Sequence, residues 1–82
     1  MKNSSELKKT WGQEAKKALV GRKIVAVRYM TEEELTDHGW ERSPLVMFLD
    51  DGTAIYPSSD DEGNDAGALF TTSKEFEIAP VI

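Results

Sequence analysis

The sequence contains no cysteine. Disulfide frameworks, thiolate metal sites and cysteine nucleophiles are excluded together, and the composition fits a reducing compartment. There is one histidine, His38, and the chain holds no HExxH, no GxSxG and no glycine-rich phosphate loop. Long apolar runs are missing as well. The longest, Leu45 to Leu49, falls far short of the roughly 20 residues that span a bilayer. The N-terminal stretch is rich in lysine and has no apolar core, so no secretory signal is expected. These features lead us to expect a cytoplasmic protein without a membrane or a cofactor among its partners.

What is present is charge, unevenly placed. The 82 residues carry a net charge of −5. Residues 1–28 hold eight Lys/Arg against Glu6 and Glu14, a net of +6, whereas residues 29–82 hold Arg42 and Lys74 against thirteen acids, a net of −11. Surfaces of such opposite sign attract each other, within one chain or between chains. They do not suit nucleic acid, because most of the chain repels phosphate.

The length suits one domain, residues 1–82. Leu7, Trp11, Ala15, Ala18 and Leu19 recur at spacings of three and four, which predicts an amphipathic helix within residues 1–21. Asn3 with Glu6 suits its start and Gly21 suits a left-handed residue after its end. Lys23 to Met30 is β-branched and aromatic and reads as a strand. The stretch "MTEEELTDHGW" then writes a short helix, 32–38, at both ends. Thr31 and Glu34 form a capping box, Met30 and Leu35 a hydrophobic staple, and Gly39 followed by Trp40 a Schellman stop. His38 falls where a helix end favours a cation.

"ERSPLVMFLDDGTAIYP" predicts a β-hairpin about Asp51-Gly52 in a type I′ turn. Its register pairs Leu49 with Ala54, Phe48 with Ile55 and Met47 with Tyr56. Two further strands follow, in "GALFTT" and "EFEIAPVI". The expected architecture is α+β. An N-terminal helix packs through Trp11 on the hairpin face bearing Met47 and Tyr56. The sheet is a curled antiparallel one of four to five strands closing toward an SH3-like barrel, with the short helix between the first two strands.

Between the strand pairs lies "YPSSDDEGNDAGALF". Asp60, Asp61, Glu62, Asn64 and Asp65 are hard oxygen donors of the kind Ca²⁺ or Mg²⁺ takes. The EF-hand pattern fails, because Asp65 stands where that loop needs glycine and Ser73 where it needs glutamate. The structural alternative is that Ser58, Ser59, Asp60 and Asn64 bond to nearby amides while Gly63 and Gly67 take positive φ. Ordering the loop crowds its carboxylates, and backbone amides with an arginine such as Arg28 or Arg42 would offset the repulsion.

The pattern from Met30 to Phe70, "YMTEEE…GW…PLV…LDDG…YPSSDDEGNDAGALF", resembles a small family of bacterial proteins with no assigned activity. The resemblance covers about half the chain and implies a compact stand-alone domain. It carries no functional residues across. The residues themselves predict a non-catalytic interaction module, not an enzyme. Its binding surface is expected at Tyr56, Asp60, Asp61, Glu62, Asn64 and Asp65, facing a basic protein or a second copy of the chain. The second expectation is a divalent-cation site in loop 60–65.

Overall fold

The computed structural model describes residues 3–82; residues 1 and 2, where the expected helix span begins, lie outside the described residues. The elements run α1 (Ser4–Leu19), β1 (Ile24–Tyr29), α2 (Glu32–His38), β2 (Leu45–Leu49), β3 (Ala54–Ile55), β4 (Leu69–Ser73) and β5 (Phe76–Ala79). The fold is α+β with antiparallel pairing throughout. The strands form two sheets, β1-β2-β3 and β4-β5, in place of the one curled sheet expected, and they do not close into a barrel. What joins the sheets is a polar seam. Ser43 and Ile82 exchange backbone hydrogen bonds, the Tyr29 hydroxyl donates to the Pro80 carbonyl, and the buried Ser43 hydroxyl donates to the Met30 carbonyl. Pro44 is fully buried in this seam, and its carbonyl accepts from the Met30 amide.

The core is small, and its main cluster lies on one face of the three-stranded sheet, with Leu45 and Leu49 buried on the other. Met30, Leu35, Trp40, Val46 and Ala66 are buried together, with Phe48 and Val81 packed against them. The α2 helix is positioned as its sequence dictates. The Thr31 hydroxyl accepts from the Glu34 amide, and the Glu34 carboxylate accepts from the Thr31 amide. At the other end the Trp40 amide donates to the Leu35 carbonyl and the Gly39 amide to that of Thr36, with Gly39 at φ 73°. That pair of bonds is the Schellman stop. Arg28 ties α2 to β1: its guanidinium makes two bonds to Glu34, at 2.7 and 3.1 Å, and lies 5.0 Å from the centre of the Phe48 ring.

The hairpin departs from its expected register by one residue. Phe48 pairs with Ala54 and Met47 with Ile55. Gly52 has φ 90° while no residue other than glycine has a positive φ, which excludes the type I′ turn, since that turn needs Asp51 in the left-handed region as well. The Gly52 amide donates to the Leu49 carbonyl and the Leu49 amide to that of Thr53, closing a three-residue turn with a glycine bulge. Asp51 decides the matter by accepting from the Thr53 amide at 3.0 Å. A slip of one residue turns every side chain of the strand over. Ile55 therefore shares a face with Met47, and Tyr56 turns to the core side of the sheet.

The largest correction concerns α1. The helix forms as expected, with Asn3 accepting from the Glu6 amide and Gly21 at φ 82° past its end. Yet none of its residues is buried, and Trp11 is 68% exposed. Trp11 does not pack on the face bearing Met47, and the register slip has moved Tyr56 off that face. The joint after the helix is also tied to the body. The Asp50 amide donates to the Lys23 carbonyl, and Arg22 pairs with Asp51 at 3.4 Å.

Replacing Thr31 by Ala should cost about 1 kcal/mol through the lost cap. Gly39→Val should cost more, about 1–2 kcal/mol from the left-handed backbone in addition to any loss of the stop; urea unfolding ranks the two. A second expectation is a pH dependence. The hydrogen bond from Arg28, with that from the Thr31 amide, holds the Glu34 carboxyl at about 2 against an ordinary 4.5. A carboxyl depressed on folding stabilises fully above its unfolded value and loses that contribution as pH falls through the folded one. Stability should therefore decline between pH 4.5 and 2, and Glu34→Gln should flatten that part of the profile.

Candidate functional site

The loop from Ser58 to Gly67 is built from its own polar groups. An antiparallel bridge between Ser58 and Ala66 closes its base. The Ser58 hydroxyl and the Ser59 amide both donate to the Asp65 carbonyl, at 2.9 Å each. Asp60 is the hub. One carboxylate oxygen accepts from the amides of Glu62 and Asn64, and the other accepts from the Asn64 side chain at 2.8 Å. These bonds, led by that of the Asn64 side chain, hold the Asp60 carboxyl below its usual range. Asp65 accepts from the Ala66 amide. Backbone amides thus offset the crowding of carboxylates, as expected. The arginines do not take part: Arg28 is committed to Glu34, and the other ion pair among the described residues joins Arg22 to Asp51.

The two glycines serve different ends. Gly63 takes φ 74°, while Gly67 does not have a positive φ. Gly67 is required for space. A Cβ there would stand 2.8 Å from the Ser58 backbone carbon, and its own amide donates to the Pro57 carbonyl.

The loop is anchored to the core by one bond that sequence reasoning missed. The Trp40 indole N–H donates to the Gly63 carbonyl at 2.8 Å. The ring that stops α2 therefore also holds the tip of the loop. Tyr56 and His38 complete a cluster around it. Ring centres lie 4.9 Å apart for His38 and Trp40, 5.5 Å for His38 and Tyr56 and 5.9 Å for Trp40 and Tyr56. His38 Nδ1 lies 2.9 Å from the Glu34 carbonyl, and Nε2 lies 3.2 Å from the Tyr56 hydroxyl. A carbonyl only accepts, so Nδ1 carries the proton. Helix capping is then half of the histidine's role, and orienting Tyr56 is the other half. The one available signal was the parity of the hairpin, which places Tyr56 on this face only if the turn has three residues.

Of the six residues expected to form the site, Asp60, Asn64 and Glu62 are joined by hydrogen bonds, the last through a long 3.4 Å contact from Asn64. Asp65 turns back to the loop base, and Tyr56 stands apart, linked through Trp40. Asp61 is exposed and has no hydrogen bond or ion pair among the described residues. No three of the His, Asp and Glu side chains among the described residues converge as a metal ion would require. No protein-family model, curated protein or solved structure matches the chain.

Trp40→Phe keeps a ring in the core but deletes the bond to Gly63. It should cost about 1 kcal/mol and speed amide exchange in residues 59–65 before it affects β2. Gly67→Ala must displace backbone and should cost about 1–3 kcal/mol, read by thermal or urea unfolding.

Proposed function

We propose that this chain is a non-catalytic interaction module whose braced acidic loop meets a basic surface. The observation that carries the reading is the inequality among the loop's acids. Asp60 and Asp65 accept from the loop's own amides, whereas Asp61 accepts no bond among the described residues and Glu62 only a long 3.4 Å one from the Asn64 side chain, on a segment held at its base and at its tip. Carboxylates carried on a braced backbone lose less conformational freedom on meeting lysine or arginine than those of a loose tether. Tyr56, 39% exposed beside His38 and Trp40, offers an aromatic neighbour for a basic side chain. The second reading, a divalent cation in loop 60–65, draws on the same oxygen donors. Against it, both oxygens of Asp60 already accept hydrogen bonds from within the loop.

A fluorescent peptide rich in lysine and arginine tests the first reading by anisotropy. Binding should weaken with salt, and the double substitution Asp61→Asn with Glu62→Gln should weaken it by roughly three- to tenfold while leaving the melting temperature unchanged. A melting temperature that rises with Ca²⁺, Mg²⁺ or Mn²⁺, and no longer does so in that double variant, would favour the cation instead.

A further inference from the structure

The surface left open by α1 is larger than a chain of this size ordinarily shows. A compact monomer of 9.2 kDa exposes roughly 4,900 Å², and this one exposes 6536 Å². Its radius of gyration is 14.4 Å, against about 12 Å for a compact domain of the same length. The excess area, about 1,600 Å², is around twice what each partner contributes to a standard protein interface.

Two apolar surfaces contribute to it, beside others that include Phe70 and Ile82. On α1, Leu7, Trp11 and Leu19 form a stripe that is 44%, 68% and 42% exposed. On the body, Val27 is 52% exposed, and it shares a sheet face with the half-buried Met47 and Ile55 and with the buried Leu45 and Leu49, so the opening on this face, turned away from α2 and the acidic loop, lies around Val27. A 16-residue helix without tertiary cover is marginal in water, and an amphipathic helix is the ordinary cover for a partly open sheet face. Arm and body also differ in net charge: Ser4–Leu19 holds four lysines against Glu6 and Glu14, a net of +2, and residues 20–82 hold five Lys/Arg against thirteen acids, a net of −8. Within one chain they are apart: no residue of α1 is buried, and the joint after it is held to the hairpin by the Asp50–Lys23 and Arg22–Asp51 contacts.

We propose that α1 is an exchanged arm, laying its Leu7, Trp11 and Leu19 stripe against the Val27 side of the sheet of a second copy of this chain, whose own arm returns the contact. Reciprocal exchange of such an arm closes as a two-fold dimer, where one-way contacts would propagate, and each basic arm then lies on an acidic body. The proposal names the partner of the interaction module for this face and leaves the acidic loop free.

Sedimentation equilibrium on the full chain tests it. The wild type at roughly 100 µM and low salt should sediment at twice the 9.2 kDa chain mass. Trp11→Glu on the arm and Val27→Glu on the receiving face should each return the monomer mass. Both residues are exposed within the single chain, and unchanged near-ultraviolet circular dichroism from Trp40 would show that the body stays folded. A wild type that remains monomeric overturns the exchange. So does a dimer that survives both substitutions. Neither outcome touches the acidic loop's binding of basic peptide, which is measured separately, so failure of the dimer and failure of the module are distinguishable.

Discussion

The indole of Trp40 is the constraint on which the rest of the body depends. Its backbone amide closes the end of α2, its ring fills the centre of the core, and its N–H holds the tip of the acidic loop. In a chain whose core consists of a handful of side chains, one residue that meets three requirements ties three segments into one cooperative unit. A buried indole N–H without an acceptor would be costly. The Gly63 carbonyl supplies that acceptor, so the burial of Trp40 and the conformation of the loop fix each other.

Arg28 works in the same manner on the other side of α2. Its planar fork matches the Glu34 carboxylate, and the same guanidinium lies over Phe48. Lysine could supply the charge but not the fork. Glu34 in turn is both the capping-box residue and the ion-pair partner, so the position of α2 on the sheet and the start of its own backbone are set by one carboxylate.

Local structure was legible in the sequence to the extent that local chemistry decides it. The capping box, the Schellman stop at Gly39 and the amide-capping role of Asp60 were all readable, because each joins residues within a few positions of one another. The hairpin register was not, although its position was. Asp-Gly fits a two-residue turn and also the last two places of a three-residue turn, and the choice rests on a single side-chain bond from Thr53 to Asp51. That choice moved Tyr56 to the opposite face and gave His38 a partner that spacing alone could not reveal. The cover of α1 was not legible for a more general reason. Periodicity shows which side of a helix is apolar, and it says nothing about what lies against that side.

The separation of α1 from the core has a consequence for how the chain opens. Amides in β2 sit between two neighbouring strands and against buried side chains, so they exchange with solvent only when the body unfolds. Those in α1 have no buried residue beside them, and in a single chain they are released by fraying of the helix alone, at a much smaller free energy. One chain therefore holds two units of cooperativity. The boundary between them falls at the segment joining Leu19 to Ile24, far from the middle of the sequence.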